Sequence, residues 1–348
     1  MARPYSAKPK RRKAKRLFEK GDLAALRELH RVSREPPGQK RQNMRAPFKQ
    51  MSQRSASAAE QRRPEADSAR AVLLIGHGSL RPGAGAAMIR LVERVQAAGV
   101  APIVTAGFLN YRRPTFSEAL ARCIHDGAHD VIVQPYFLVP GKFVQKDLQR
   151  LIETGRLAHP TLSLRMARPL GDHPALARLV LKRALEADYL FANPQIASQV
   201  GPRSLDEGAD WQPLHTRHRT GLLIMAHGSP DAQANEPIHV IARLARASSQ
   251  YVAVTACFMD LNQPSIPDAA AAMIRRGITH IIAVPYFLHL GNHVRDDLPV
   301  LIDAARARHP RSTIILAEHL GFDRSIVSVI ADRVAEVAWQ HRTVPARA

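Results

Sequence analysis

The chain contains a long internal repeat. Residues 72–188 align with residues 222–338 at a constant offset of 150, without a gap. The matched segments include Gly76-His77-Gly78-Ser79 with Ala226-His227-Gly228-Ser229, Val104-Thr105-Ala106 with Val254-Thr255-Ala256, and Pro135-Tyr136-Phe137-Leu138 with Pro285-Tyr286-Phe287-Leu288. Because a gapless repeat keeps the length and spacing of every element, both copies are predicted to adopt the same fold.

The repeat divides the chain into two domains of ordinary size. We predict a first half at residues 71–192 and a second half at residues 221–340, joined by a linker at 193–220. The linker holds Gly and Pro pairs and lacks a clear periodicity. Residues 1–70 precede the repeat and are predicted to form a basic extension.

Each copy alternates short apolar segments with amphipathic ones. The segments predicted as strands are Ala71–Ile75, Pro102–Gly107, Val131–Pro135 and Leu162–Ala167, then Leu222–Ala226, Val252–Cys257, Ile281–Pro285 and Thr313–Ala317. Helical patterns in the first copy lie at about Ala84–Ala98, Thr115–Asp126, Val144–Ala158 and His173–Ala187. This order predicts an α/β protein with two open parallel sheets, each flanked by helices on both faces.

The positive charge is concentrated in the extension. Residues 1–70 contribute 20 Lys and Arg against 7 Asp and Glu, which is +13 of the net +20. The basic run at residues 8–16 has the composition of segments that bind nucleic acid or anionic lipid by neutralising phosphates. We favour a solvated, disordered extension over nucleic-acid contact, because residues 36–68 hold too little apolar surface to fold.

Two further features bear on the cellular setting. No apolar run approaches the roughly 18–20 residues that a bilayer requires, so we expect no membrane segment. Cys123 and Cys257 belong to no CxxC pair or other disulfide-like arrangement. We therefore expect a cytoplasmic protein in which both thiols are core residues.

The copies differ in the polar residues that follow their strands. His227, Asp260 and His293 follow the first, second and third strands of the second copy, whereas the first copy has His77, Asn110 and Phe143. The carboxyl ends of parallel strands meet at one edge of a sheet, so these side chains can converge. Two imidazoles and a carboxylate suit divalent Fe, Co, Ni or Zn and leave coordination positions open. The second half is therefore predicted to hold a working metal site, although Asp260 alone could be a helix cap or turn former.

These motifs resemble the class II chelatases, the sirohydrochlorin cobaltochelatases and ferrochelatases of cobalamin and sirohaem synthesis. The resemblance rests on the His-Gly-Ser turns, on residues 257–266 and, most specifically, on residues 285–299, and it covers 71–190 and 221–338. Asp260 stands where the family pattern has Glu. Long members of the family look like fused copies of short homodimeric members, and their active half is expected to be N-terminal, whereas here it is C-terminal.

The resemblance implies two chelatase-like domains and the insertion of Co²⁺ or Fe²⁺ into sirohydrochlorin. His227, Asp260 and His293 would bind the metal and accept pyrrole protons, in a cleft that holds the macrocycle. Substrate contacts are assigned to Ser229, Asn292, His77 and Phe143, with ring stacking by Phe143 or Tyr136 and carboxylate pairing by Arg112, Arg113, Lys142 and Arg295. No cofactor beyond the substrate metal is expected, and the duplication implies a monomer. The competing hypothesis is a non-catalytic metal-binding or metal-delivery protein that uses the same ligands.

Overall fold

The structure is a computed structural model that describes residues 70–78, 84–197, 219–321 and 323–343. Residues 1–69 of the predicted extension and residues 198–218 of the predicted linker lie outside the described residues. The elements of the first half are β1 Arg70–Gly76, α1 Ala84–Ala97, β2 Ile103–Phe108, α2 Phe116–His125, β3 Asp130–Pro135, a π-helix Phe143–Leu148 that continues into α3 Gln149–Ala158, β4 Ser163–Met166 and α4 Pro174–Ala192. A short helix, Pro194–Ala197, follows.

The second half repeats this order. Its elements are β5 Thr220–Ala226, a 3₁₀ turn Ala232–Asn235, α5 Glu236–Ala247, β6 Ala253–Phe258, α6 Ile266–Arg275, β7 His280–Pro285, a π-helix His293–Asp297, α7 Leu298–Arg308, β8 Thr313–Leu316 and α8 Ser325–Thr343. None of the described helices carries an apolar stretch of the length needed to span a membrane.

Each half contains a parallel sheet of four strands, which confirms the predicted fold class. The strand orders are β2-β1-β3-β4 and β6-β5-β7-β8. The central strands β1 and β5 are buried along almost their whole length, which explains why their sequences are continuous apolar runs rather than alternating ones. Parallel pairing brings the carboxyl ends of all four strands to one edge of each sheet.

One face of each sheet packs inside its own half. In the first half, apolar residues of α2 and α3 cover β1 and β3 and enclose Cys123. In the second half, α6 and α7 do the same and enclose Cys257. Both thiols are buried, as predicted for core residues, and burial raises the pKa of Cys123 to about 12.

The other faces of the two sheets share one hydrophobic core. The last helix of each half crosses to the opposite half: α4 packs on α5, β7 and β8, while α8 packs on α1 and β3. The shared core includes Leu176, Val180, Ile326 and Ile330 from these two helices. Helices therefore cover both faces of each sheet, as predicted. On one face of each sheet, however, one of the covering helices belongs to the other half.

One arginine from each of these two helices binds the opposite half, and the two arginines make equivalent contacts. Arg183 of α4 donates to the carbonyl oxygens of His319 and Leu320, and Arg333 of α8 donates to those of Pro169 and Leu170. These donors and acceptors are related by the 150-residue offset. A second related pair joins Lys182 to Asp323 at 2.8 Å and Asp332 to His173 at 3.1 Å. The halves are thus held together like the subunits of a two-fold dimer.

The sequence-based boundaries agree with the structure to within a few residues. Helix α4 extends to Ala192, five residues beyond its predicted end, and the predicted linker begins where this helix ends. β5 begins at Thr220, the last residue assigned to the linker. His159 and His309 lie at the C-terminal ends of α3 and α7, at equivalent positions of the repeat.

Candidate functional site

The predicted site residues lie at the edge where the strands end. In both sheets the chain reverses its direction of winding between the first and third strands, because the order is 2-1-3-4. Open α/β sheets bind ligands at such a switch point, beyond the carboxyl ends of the strands. His77 follows β1 and His227 follows β5, so each half places a histidine there.

The glycine after each of these histidines is required by the backbone. Gly78 has φ +87° and Gly228 has φ +93°, in the region that side-chain-bearing residues rarely adopt. A Cβ at Gly78 would collide with the carbonyl oxygen of Asn110, and one at Gly228 with that of Asp260. The His-Gly pair therefore brings the loop after the second strand against the histidine.

The structure brings His227 and His293 together. Their ring centroids are 4.7 Å apart in an edge-on arrangement. Nδ1 of His293 lies 2.8 Å from Oδ2 of Asp297, and Nδ1 of His227 lies 3.2 Å from the carbonyl oxygen of Gly228. Because a carboxylate and a carbonyl oxygen only accept hydrogen bonds, the proton of each neutral ring belongs on Nδ1. Both Nε2 atoms then keep a lone pair for a metal ion.

The first half has the same local backbone but a different chemistry. Phe143 replaces His293 at the start of the π-helix, and its ring centroid lies 4.4 Å from that of His77. Tyr111 lies on another side of His77, with ring centroids 5.8 Å apart. At this edge of the first half, His77 is thus bordered by two aromatic rings rather than by a second imidazole from the π-helix.

Asp260 lies at the same edge, but its carboxylate is engaged locally. Its Oδ1 accepts a hydrogen bond of 2.8 Å from the N–H of Leu261, while its own N–H donates to the carbonyl oxygen of His227. Within the described residues, no three His, Cys, Asp or Glu side chains are grouped to hold a metal ion. The ligand set His227, Asp260 and His293 therefore stays a prediction.

A cavity of about 260 Å³ lies beside the two histidines and is shared by both halves. His77, Tyr136 and Leu138 line it from the first half, and His227, Leu288 and His289 line it from the second. Pockets that enclose whole drug-sized ligands measure roughly 300–1,000 Å³, so this one accommodates part of a larger flat ligand. Tyr136 is a buried residue of the core that the two halves share.

His289 enters the cavity from the second half. Its ring stands edge-on to Tyr136, with centroids 5.4 Å apart. His289 is an exposed residue among those that line the cavity. Desolvation, reinforced by the nearby His319 and His77, lowers the pKa of His289 to about 4. The ring is therefore neutral at physiological pH.

The residues assigned to substrate contacts have different roles. The N–H of Ser229 donates a hydrogen bond of 2.7 Å to Oδ1 of Asn262, which fixes the His-Gly-Ser turn. Asn292 is exposed and precedes the π-helix that begins with His293. Arg295 pairs with its neighbour Asp296 at 2.9 Å. The substrate contacts of these residues stay predictions.

Two residues of the site were not predicted from the sequence. Asp297 lies four residues after His293, one helical turn away, and its counterpart Asp147 remains in the first half. A carboxylate at that spacing from a predicted histidine ligand indicates a residue that orients the imidazole ring. Tyr111 gave no such signal, because its position beside His77 follows from a left-handed backbone at φ 60°.

Comparisons with known proteins agree with this architecture. The sirohydrochlorin cobaltochelatase of Priestia megaterium is 23% identical over 268 residues, which span 77% of this chain and 79% of the relative. The sirohydrochlorin ferrochelatase of Bacillus subtilis is 21% identical over 77% of this chain and 92% of its own. Among solved structures, SirB from Bacillus subtilis with Fe³⁺ superimposes with a TM-score of 0.63 at 20% identity, over 78% of this chain and 97% of that one.

The family comparison matches each half separately. The model of the CbiX family matches residues 71–187 and again residues 221–337. Both matches coincide with the two halves of the fold and together cover more than half of the sequence. The chain belongs to the CbiX family, with the family domain present twice.

Proposed function

We propose that this protein is a sirohydrochlorin chelatase that inserts a divalent metal, Co²⁺ or Fe²⁺, into the macrocycle. The observation that carries the proposal is the pair of imidazoles, His227 and His293, 4.7 Å apart beside an apolar cavity. The relatives that match both halves are a cobaltochelatase and a ferrochelatase, which supports the same reaction.

The imidazole pair is suited to hold a metal that must later be released. Two Nε2 ligands leave most coordination positions of the ion for water, for Asp260 or for the incoming pyrrole nitrogens. His293 is half exposed and its neighbour His227 lines the cavity, so a substrate can reach a metal ion held between them. A closed set of four protein ligands would bind the ion more firmly and would oppose transfer.

Metal insertion also requires acceptors for protons. Two inner N–H groups of the macrocycle lose their protons as the metal forms bonds to nitrogen. Each imidazole regains a free Nε2 lone pair when the metal leaves it, and the exposed carboxylate of Asp260 lies at the same edge. These groups are the acceptors that we assign to the two protons.

The remaining features of the proposal follow from the fold. The metal is a substrate, and no other cofactor is invoked. The exchange of α4 and α8 within one chain supports a monomer, since it supplies the interface that a dimer of single domains would need. Both cysteines are buried free thiols, which fits a reducing cytoplasm.

The proposal is tested by mixing the purified chain with sirohydrochlorin and Co²⁺, and separately with Fe²⁺, under anaerobic conditions. The absorption spectrum of the macrocycle is expected to change faster than in the absence of protein. No acceleration with either metal, together with stoichiometric Co²⁺ binding, would favour the metal-delivery alternative.

The same assay distinguishes the two halves. His227→Ala and His293→Ala each remove a metal ligand and a proton acceptor, so turnover should fall at least about 100-fold. His77→Ala should cause a smaller loss, because Phe143 and Asn110 supply no partner ligands. Equal losses in all three variants would mean that the metal is shared between both halves.

A further inference from the structure

The first half carries more positive charge than the second at several equivalent positions near the site. It carries Arg112, Arg113, Lys142 and Lys146 where the second half carries Asn262, Gln263, Asn292 and Asp296. These positions lie after the second strand and at the π-helix of each half, on the edge that carries the histidines. The two walls of the cleft therefore differ in charge as well as in metal ligands.

The charges of the first half are held in different ways. Arg113 forms an ion pair with Glu118 at 2.5 Å, so its charge is largely balanced. Lys142 and Lys146 are exposed at the start of the π-helix, which contains one acid, Asp147. The two lysines consequently present net positive charge to a ligand at this edge.

Exposed aromatic rings accompany these lysines. Tyr111 is 63% exposed and Phe143 is 39% exposed, and both rings stand beside His77. The equivalent residues of the second half are Leu261 and His293. Leu261 shares the left-handed backbone of Tyr111, with φ 63° against 60°, so the difference lies in the side chains alone.

A flat aromatic surface bordered by cations suits a conjugated, polycarboxylate ligand. The ring faces provide apolar contact area, and the lysines pair with carboxylates at the periphery of the ligand. The same surface disfavours a free divalent cation, because it lacks a second ligand and carries like charge. Sirohydrochlorin has both a conjugated ring system and peripheral carboxylates.

We infer that the two halves divide the reaction: the second half holds the metal, and the first half binds the tetrapyrrole. Tyr111 and Phe143 contact the face of the macrocycle, while Lys142 and Lys146 pair with its carboxylates. His77 lines the shared cavity between the two surfaces. This inference rests on the proposed chelatase function and assigns a purpose to the half that lost its metal ligands.

The test measures binding of metal-free sirohydrochlorin and of Co²⁺ separately, using the full chain. Lys142→Gln/Lys146→Gln should raise the Kd for sirohydrochlorin about 3- to 10-fold at low salt, and less at high salt, since exposed ion pairs are weak and screened. Phe143→Leu should raise the same Kd by removing a ring. The Kd for Co²⁺ should stay within twofold of wild type in both variants.

Two controls make the outcome specific. Arg275→Gln/Arg276→Gln removes the same charge from the end of α6, at the opposite edge of the sheet, and should leave both Kd values unchanged. His293→Ala should weaken Co²⁺ binding while leaving the Kd for sirohydrochlorin within twofold of wild type.

The inference is overturned if the lysine and Phe143 variants bind sirohydrochlorin like wild type, or if the Arg275 and Arg276 control weakens binding equally. Failure of the proposed function has a different signature, which is sirohydrochlorin binding without metal insertion by the wild-type chain.

Discussion

At the scale of single residues, the contact between His293 and Asp297 orients a predicted metal ligand. The carboxylate holds the proton of His293 on Nδ1 and thereby directs Nε2 toward the metal. Asp297→Asn should therefore weaken Co²⁺ binding about 10-fold. Loss of a residue that hydrogen-bonds a metal ligand costs roughly 10- to 100-fold in affinity, and we expect the lower value because both side chains are half exposed. Competition with a chromophoric chelator measures this affinity.

The repeat supplies a matched control for that substitution. Asp147 occupies the equivalent position in the first half, where Phe143 stands in place of the histidine. Asp147→Asn makes the same chemical change without a neighbouring ligand and should leave Co²⁺ affinity unchanged. If both variants lose affinity equally, Asp297 acts through overall charge rather than by orienting His293.

The sequence predicted the positions of the site residues better than their contacts. His77 and His227 could be placed because each follows a recognisable buried strand, and His293 because it follows the third strand of the same repeat. The side-chain bond from Asp260 to the Leu261 N–H could not be predicted, because a short Asp chooses among several nearby backbone donors. Periodicity contains no information on that choice.

At the scale of elements, the apolar pattern of the sequence predicted the strands and helices, but it did not predict which elements pack against each other. The pattern of α4 shows which residues face a core, and it does not show that this core belongs to the other half. Arg183 and Arg333 are buried in that interface, where they bind backbone carbonyl groups. A sequence-based analysis has no means to assign such acceptors across 130 or more residues.

The ion pair between Lys182 and Asp323 should contribute to stability in a pH-dependent way. Burial alone would raise the pKa of Asp323, but hydrogen bonds from Lys182 and Ser325 outweigh it and hold the pKa below its usual value of 3.8. A carboxyl whose pKa is lowered by folding stabilises the folded state at pH values above its pKa in the unfolded chain. This contribution disappears as the pH falls through the pKa of the carboxyl in the folded protein. The stabilisation should thus be complete at pH 7 and lost below about pH 4.

Asp323→Asn tests that contribution. At pH 7 the variant should lose about 1–3 kcal/mol of unfolding free energy, and the difference from wild type should shrink below about pH 4. Urea unfolding at the two pH values measures it. Asp332→Asn is the matched control, because Asp332 is the equivalent of Lys182 in the repeat but is 62% exposed. Its loss should stay within about 0.5 kcal/mol, and a loss equal to that of Asp323→Asn would contradict the assigned role of burial.

At the scale of the whole molecule, the two halves depend on each other for a complete core. The second half takes its cover over β7 and β8 from α4, which belongs to the first half of the sequence. Residues 219–343 expressed alone would therefore expose the apolar face that Leu176 and Val180 normally cover. Exposed apolar faces of that kind are usually buried by association.

The isolated second half has a ready partner in a second copy of itself. Helix α8 carries Ile326, Ile330 and Arg333 at the positions equivalent to Leu176, Val180 and Arg183 of α4. In a two-fold dimer, α8 of one copy can take the place of α4 against the other, and Arg333 can reach the carbonyl groups that Arg183 normally binds. We expect residues 219–343 to form a homodimer and the full chain to be a monomer, and light scattering coupled to size exclusion distinguishes the two.

A substitution in α8 tests whether this helix forms the dimer interface of the isolated half. Ile330→Asp should abolish the dimer of the isolated half and unfold it, because a charge would be buried in the only interface that completes its core. The dimer itself should bind two Co²⁺ ions through its two His227 and His293 pairs, yet it lacks Lys142, Lys146, Tyr111 and Phe143 and should bind sirohydrochlorin more weakly than the full chain. A folded monomer of residues 219–343 would show that α4 is dispensable, and the first half would then serve substrate binding alone.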